Sequence, residues 1–90
     1  MTRQRDEILM KRYGINQADF DRMSDEQDGK CAVCLNPPTK RGLFVDHDHE
    51  TGKVRGLLCA WCNTGLGHFK DSILYLFRVI AYLIIKRDKE

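Results

Sequence analysis

The chain has 90 residues, of which 42% are hydrophobic and 31% are charged, so it can bury a core and is not a disordered tail. Fifteen Lys and Arg against 13 Asp and Glu leave a formal charge of only +2, which excludes the strongly basic proteins that coat nucleic acid. A single domain of this size is marginally stable alone, so a metal ion or disulfides are expected to crosslink it.

The N-terminal stretch MTRQRDEILMKRYG carries charges and lacks the apolar run of a secretory signal. The sequence therefore predicts a cytoplasmic protein. In that compartment the four cysteines are expected to be reduced thiols, and metal binding explains them better than disulfides do.

Two short helices are predicted first along the chain. Residues 3–13 are rich in helix-forming residues, and Gly14 can end that helix. Asn16 can cap a second helix, in which Phe20 and Met23 lie three positions apart and so share a face.

A turn-rich loop and a β-hairpin are predicted next. Residues 31–38 contain CAVC followed by Asn and two prolines, which forbid a regular helix or a central strand. Residues 43–49 and 53–58 are two apolar-rich runs joined by Glu, Thr and Gly, the composition of a short hairpin loop. This places VDHDH on one arm of the hairpin.

Two helices are predicted at the C-terminal end. Residues 63–69 can form one, although Gly65 and Gly67 weaken it. Asp71 or Ser72 can cap the last helix, residues 73–86, whose run ILYLFRVIAYLII holds one charge in 13 residues and is too short to span a membrane. Because that helix is apolar nearly all round, the N-terminal helices or a second copy of the chain must cover it, and a homodimer is one of these two expectations.

The cysteines carry the strongest signal in the sequence. They form two CxxC pairs, Cys31 with Cys34 and Cys59 with Cys62, a pattern typical of a structural Zn²⁺ site with four thiolate ligands. The 24 intervening residues exceed the usual spacing, which a hairpin between the pairs explains because it returns its ends to each other. A redox pair and buried structural thiols are the alternatives. Trp61, inside the second pair, is expected to pack against the zinc loops.

Any hydrolytic chemistry must lie outside such a zinc site, because four cysteine ligands leave no open position. The polar residues nearby in sequence are Asp46, His47, Asp48, His49 and Asn63. Aspartate and asparagine oxygens suit Mg²⁺ or Mn²⁺, and a neutral histidine can remove a proton from water. An HxH pair beside carboxylates can also be a surface zinc site or merely a polar hairpin face.

Strand geometry leaves the choice of general base open. Alternation puts His47 and His49 on one face and Asp46 on the other, unless the strand bends or bulges there. Arg55 and Lys53 could each contact a DNA phosphate, and each could equally be a solvated side chain.

The stretch VDHDHETGKVRGLLCAWCNTGLG, with CAVC upstream, resembles the phage recombination endonuclease VII branch of the HNH nucleases, also called His-Me finger or ββα-metal nucleases. The resemblance is specific across residues 30–67. It implies an α+β fold, in which a small zinc-stapled ββα-metal core, residues 30–69, has helices at both ends. The chain is then a single domain, residues 1–90, with N-terminal helices in residues 1–29 and a C-terminal helix in residues 71–88.

The resemblance also implies roles for individual residues. Asp46 and Asn63 match the ligands of the catalytic Mg²⁺ or Mn²⁺, and His47 matches the general base. His49 falls on a second active-site histidine that helps with phosphate or metal. The structural zinc ligands match Cys31, Cys34, Cys59 and Cys62.

The implied activity is metal-dependent hydrolysis of phosphodiester bonds in DNA, by nicking duplex or branched substrates. Such a protein would work in the cytoplasm of a bacterial host, with packaging or recombination proteins of a phage as possible partners. The alternative is a zinc-ribbon module that binds DNA or a protein without catalysis, and it would be indifferent to replacement of His47.

Overall fold

The structure, a computed structural model, describes residues 2–87. Within these residues it contains α1 (Thr2–Tyr13), α2 (Gln17–Glu26), β1 (Phe44–His47), β2 (Val54–Leu58), α3 (Ala60–His68) and α4 (Ile73–Lys86). This small α+β architecture agrees with the predicted class and order of elements. Residues 1 and 88, at the outer ends of the predicted terminal segments, lie outside the described part of the chain.

The predicted boundary between the two N-terminal helices is confirmed. Gly14 adopts φ +72°, and its N–H donates to the Met10 carbonyl at 3.0 Å, which ends α1. Asn16 caps α2, because its Oδ1 accepts from the Asp19 N–H at 2.8 Å. In return, Oδ2 of Asp19 accepts from the Asn16 N–H at 3.1 Å, which completes a capping box.

β1 and β2 form the predicted antiparallel hairpin, but both strands are shorter than expected. The register pairs Phe44 with Leu58, Val45 with Leu57, Asp46 with Gly56, and His47 with Val54. Arg55 is the extra residue between the last two pairs, so β2 bulges beside Asp46. The extra residue lies on β2 and not on β1, so the convergence of Asp46 and His47 on one site stays a prediction.

Asp48 shortens the strands because it forms the hairpin turn. Its Oδ1 accepts from the Glu50 N–H at 2.8 Å and from the Thr51 N–H at 3.0 Å. These N–H donors, that of Thr51 first, lower the pKa of the Asp48 carboxyl. Gly52 closes the turn with φ +76°, a conformation that glycine adopts without strain. The prediction that all of VDHDH lies in a strand is therefore wrong at Asp48 and His49.

The hairpin lies between two small buried clusters. The first cluster contains Leu9, Val45 and Leu57, and the second contains Cys31, Leu58 and Cys59. Because cross-strand partners share a face and successive residues alternate, Asp46 lies on the face of Leu58, opposite to Val45. The buried aspartate thus lies on the cysteine side of the sheet.

The Gln27 side chain joins the end of α2 to the outer edge of β2. Its Nε2 donates to the Leu57 carbonyl at 3.0 Å and to the Lys30 carbonyl at 2.7 Å. Its Oε1 accepts from the Leu57 N–H at 3.0 Å. Leu57 is fully buried, so the amide of Gln27 takes the place of a neighbouring strand for this residue.

Replacing Gln27 by alanine is expected to lower the free energy of unfolding by about 2 kcal/mol, since the Leu57 N–H would lose its partner inside the protein. Urea unfolding of the zinc-loaded protein would measure the change. Gln17→Ala is the matched control, because Gln17 bonds Asp21 on the surface of α2 at 2.8 Å. Equal small losses in both variants would show that Gln27 does not hold β2.

α3 begins at Ala60, three residues before the predicted start. The reason is that Cys59 caps it, with Sγ accepting from the Cys62 N–H at 3.5 Å. The second cysteine pair and Asn63 therefore lie at the first turn of a helix. Trp61 is 84% exposed on this turn, so the prediction that it packs against the zinc loops is wrong.

α4 has the predicted bounds, and Oγ of Ser72 caps it by accepting from the Tyr75 N–H at 3.1 Å. Its apolar side chains are largely exposed, including Ile73 at 72% and Phe77 at 64%. The N-terminal helices therefore do not cover it. Among the helices of residues 2–87, none has the length and apolar character needed to cross a membrane.

Candidate active site

The four cysteine sulfurs come together, as the spacing predicts. In the first loop the Cys31 carbonyl accepts from the Leu35 N–H at 3.0 Å, and the Ala32 N–H donates to the Leu57 carbonyl at 3.1 Å, which ties the loop to β2. The sulfurs of all four cysteines lie within 4.8 Å of one another. A tetrahedron of sulfurs about 2.3 Å from Zn²⁺ has edges of about 3.8 Å. The Cys34 and Cys59 sulfurs are 3.8 Å apart, so the cluster fits a structural zinc ion.

The electrostatics of the cluster favour a bound cation. Burial raises the pKa of the Cys31 thiol, but hydrogen bonds from the backbone of Cys59, Cys34 and Val33 outweigh it and lower that pKa to about 6. Burial, together with the neighbouring thiols, raises the pKa of Cys62 to about 12. A metal ion among the sulfurs would favour the thiolate form of its ligands.

The Asp46 carboxylate is buried and paired with Arg55. Only 8% of Asp46 is exposed. The Arg55 Nε donates to Oδ2 of Asp46 at 2.7 Å, and its Nη2 donates to Oδ1 at 3.0 Å, a bidentate pair. In a regular ladder Arg55, next to Gly56, would point to the face opposite Asp46, so the bulge brings the two together. The pair raises the pKa of Arg55 above its already high value.

Asp71 joins this group from the turn between α3 and α4. Its Oδ2 accepts from the Arg55 Nη2 at 3.3 Å and lies 3.0 Å from the His49 Nδ1. Lys70 and Asp71 have φ +55° and +56°, left-handed conformations that non-glycine residues rarely adopt. The hydrogen bond with His49, together with the charge of Arg55, lowers the pKa of the Asp71 carboxyl.

Sequence reasoning missed the role of Asp71, which it treated only as a helix cap. Asp71 lies 22 residues from His49, and the cap of α4 is Ser72. No local pattern marks an aspartate that a tight turn brings to a distant hairpin. Only the path of the chain between α3 and α4 shows it.

The two histidines of the hairpin lie side by side. Their ring centroids are 4.9 Å apart in an edge-on arrangement, although His49 lies in the turn and not in the strand. The ring of His47 also contacts that of Tyr13 on α1, at 5.6 Å between centroids. His49 is exposed at the turn, whereas His47 is half-buried. The assignment of His47 as the general base stays a prediction.

A cavity of about 450 Å³ opens beside this group. It is lined by Asp48, His49, Glu50, Arg55, Lys70, Asp71 and Ile73. Three carboxylates face it with two basic side chains, so a phosphate group entering it needs a cation close by. Lys53 is exposed outside this lining, and its carbonyl accepts from the Asp48 N–H at 2.8 Å.

Asn63 occupies the first turn of α3, and its N–H donates to the Cys59 carbonyl at 3.0 Å. α3 packs on both strands of the hairpin. The zinc ligand Cys62 directly precedes Asn63, so a bound zinc ion would hold the backbone of this turn against the hairpin. Carboxylate and amide oxygens are the hard donors that Mg²⁺ and Mn²⁺ prefer, and the binding of one ion by Asp46 and Asn63 together stays a prediction.

Comparisons with known proteins give one family. The sequence model described as recombination endonuclease VII matches residues 6–84. The chain is 41% identical over 78 residues to the Gene 59 protein of Mycobacterium phage L5, in an alignment that covers 84% of this chain and 48% of that protein. It is 44% identical over 77 residues to the Gene 59 protein of Mycobacterium phage D29, in an alignment that covers 83% of this chain and 47% of the D29 protein.

The chain therefore spans about half the length of these curated relatives. No solved structure matches it significantly. The matched region contains the cysteine cluster, the hairpin and α3, together with most of the flanking helices.

Proposed function

The chain belongs to the recombination endonuclease VII family, and from this membership we propose that it is a metal-dependent DNA endonuclease that nicks duplex or branched DNA. The observation that supports this best is the group on the hairpin, beside a cysteine cluster that fits zinc. Its buried carboxylate, Asp46, is linked through Arg55 and Asp71 to His49, and the ring of His49 contacts that of His47. Such a group, supported by a rigid frame, suits hydrolysis of a phosphodiester bond.

In this proposal residues 30–69 are a ββα-metal core within one domain, residues 1–90, flanked by helices in residues 1–29 and 71–88. The zinc ion holds the loops of the core and takes no part in the chemistry. Its ligands are Cys31, Cys34, Cys59 and Cys62.

Asp46 and Asn63 hold the catalytic Mg²⁺ or Mn²⁺. When bound, that ion stabilises the negative charge on the phosphate and on the leaving oxygen. His47 accepts a proton from the attacking water, and contact with the Tyr13 ring limits the positions that its imidazole can take. His49, held by Asp71, lies at the cavity and contacts the phosphate or the metal ligands.

The DNA is held mainly through its phosphates. Arg55 lines the cavity, and Lys53 lies on the exposed start of the second arm of the hairpin. With a formal charge of only +2, the affinity is expected to be modest and to fall with salt. As a phage protein it acts in the cytoplasm of the bacterial host, with packaging or recombination proteins as candidate partners.

The test is incubation of the zinc-loaded protein with supercoiled plasmid, with and without Mg²⁺ or Mn²⁺. Open circles that form only with the divalent ion support the proposal. Zinc content must be the same in both reactions, so the ion is omitted rather than chelated. A folded, zinc-loaded protein that leaves both duplex and branched DNA intact would contradict it.

The second candidate is a zinc-ribbon module that binds DNA or protein without cutting. The observation that favours it is the Arg55 pair, which engages both oxygens of the Asp46 carboxylate. In such a module the pair would be a permanent structural contact, and DNA binding would not depend on Mg²⁺ or Mn²⁺.

One active site per chain implies nicking, and coordinated cutting of both strands requires two chains. We propose that a second copy covers the exposed apolar surface of α4, with the N-terminal helices at its edge. Light scattering at high micromolar concentration is expected to give a dimer, and Phe77→Glu to give a monomer, because a charge would be buried at the interface. Val33→Glu is the matched control, since Val33 is 60% exposed on the cysteine loop. A wild-type monomer under these conditions would rule the dimer out.

A further inference from the structure

The Arg55 guanidinium lies between two carboxylates of different surroundings. Asp46 is buried on the sheet face, whereas Asp71 lies on the turn that precedes α4. Arg55 uses Nε and Nη2 for Asp46, and the same Nη2 also donates to Asp71. The two donors on Nη1 belong to neither pair. One side chain thus connects the proposed metal ligand to the cavity.

A divalent ion bound by Asp46 must compete with this arrangement. Arg55 engages both carboxylate oxygens from one side, where a metal ion would also approach them. A guanidinium also repels a doubly charged cation at that distance, although solvent partly screens the repulsion because the Arg55 side chain is 36% exposed. Metal binding and the Asp46–Arg55 pair are therefore mutually unfavourable.

Asp71 gives Arg55 a second partner at the same site. Its carboxylate already accepts from Arg55 at 3.3 Å, so losing Asp46 does not leave the guanidinium unpaired. The turn at Lys70 and Asp71 fixes this carboxylate at the edge of the cavity. Arg55 lines the same cavity of about 450 Å³, which is large enough for a phosphate group to enter.

The charges of the cavity explain why a phosphate needs this arginine. Asp48, Glu50 and Asp71 all line the cavity and repel an anion, while Arg55 and Lys70 are the basic residues that face it. Two carboxylates, Asp46 and Asp71, face the single positive charge of Arg55. Once Asp46 binds a metal ion instead, only Asp71 remains against Arg55, so the guanidinium attracts a phosphate more strongly.

We propose that Arg55 shifts from Asp46 to Asp71 when a divalent ion binds, and that it then binds a phosphate of the DNA beside the metal. The inference rests on the proposed function, because it takes Asp46 as a ligand of the catalytic ion. It gives Asp71 a role as the positioning residue of Arg55. It also makes metal binding and DNA binding mutually dependent.

Calorimetric titration of the zinc-loaded protein with Mn²⁺ tests the competition without any cleavage. Arg55→Gln is expected to bind Mn²⁺ about tenfold more tightly than wild type, since the competing cation is removed. Arg55→Lys, which cannot form the bidentate pair, should fall between them. Arg22→Gln is the matched control, because it breaks only the exposed pair with Asp19, 2.7 Å long, and should leave the affinity unchanged.

The same titration separates failure of the inference from failure of the proposed function. If Asp46→Asn binds Mn²⁺ as wild type does, Asp46 is not a ligand and the function proposal loses its metal site. If Asp46→Asn loses binding while Arg55→Gln binds no more tightly than wild type, the competition is wrong. Zinc content and circular dichroism confirm the fold of each variant.

A double-mutant cycle tests the role of Asp71. Asp71→Asn is expected to weaken Mn²⁺ binding more when Arg55 is present than in the Arg55→Gln background, because only Arg55 needs the second partner. Equal effects in both backgrounds would show that Asp71 acts on the ion through its charge alone.

Binding of a short DNA duplex, measured with and without Ca²⁺, tests the phosphate role of Arg55. Ca²⁺ is expected to increase the affinity of the wild-type protein for the duplex, and Arg55→Gln should lose that increase. An undiminished increase in Arg55→Gln would overturn the phosphate role.

Discussion

Replacing His47 by alanine is expected to slow plasmid nicking by about 10²- to 10⁴-fold at neutral pH, the usual contribution of a general base. The fold should persist, because His47 is only half-buried and the core consists of other residues. The rate of open-circle formation under single-turnover conditions is the measurement. Binding of duplex DNA in Ca²⁺ should change little, since the loss concerns proton transfer.

His68→Ala is the matched control for this experiment. His68 is the third histidine of the chain and lies exposed at the end of α3. The control should nick like wild type. His49→Ala tests the alternative base, whose ring is 4.9 Å from that of His47. If His47→Ala nicks nearly as fast as wild type while His49→Ala shows the loss of about 10²- to 10⁴-fold, His49 is the general base instead.

Removing zinc is expected to unfold the chain. Structural zinc contributes on the order of 10 kcal/mol to folding in such sites, more than a core of this size supplies alone. One of the two buried clusters consists of Cys31, Cys59 and Leu58, so losing the metal disrupts packing as well as ligation. Loss of the helical circular dichroism signal on chelation, and its return with Zn²⁺, would measure this.

Fluorescence of Trp61 gives a second readout, because this single tryptophan lies between Cys59 and Cys62. Mg²⁺ should not restore the fold after chelation, since a hard cation prefers oxygen ligands to thiolates. A chain that keeps its helical signal after zinc has been shown by elemental analysis to be gone would contradict the structural role of the cluster.

The cysteine frame was predictable from sequence because its cause is local. Two CxxC loops can form one metal site if the segment between them brings its two ends close together. The run from Val45 to Lys53 has the composition of a hairpin, which does this. The caps at Asn16 and Ser72 were predictable for the same reason, since each cap acts within three residues.

The ion-pair network was not predictable, because each of its contacts depends on backbone irregularities. Arg55 reaches Asp46 through a bulge, and Asp71 reaches Arg55 and His49 through two consecutive left-handed residues. Alternation would have placed Arg55 on the wrong face. Sequence patterns describe regular strands and helices, and they carry little information about where regularity breaks.

The exposure of α4 shows a different limit. Its apolar run predicted a helix that must be covered, and its bounds agree with the structure. Which surface covers it depends on the packing of the whole chain or of two chains. Within residues 2–87 most apolar side chains of α4 stay exposed to solvent, so the oligomeric state has to be measured.

The measurement that tests the central claim most directly is nicking of supercoiled plasmid by zinc-loaded Asp46→Asn across a series of Mn²⁺ concentrations. Asparagine keeps the shape of the side chain and removes its charge, so the ion retains at most a weak amide ligand at this position, with little change of packing. Asp21→Asn, on the exposed surface of α2, is the control. The account predicts that Asp46→Asn loses nearly all metal-dependent nicking while Asp21→Asn equals wild type. Nicking by Asp46→Asn at the wild-type rate and with the wild-type Mn²⁺ dependence would contradict it.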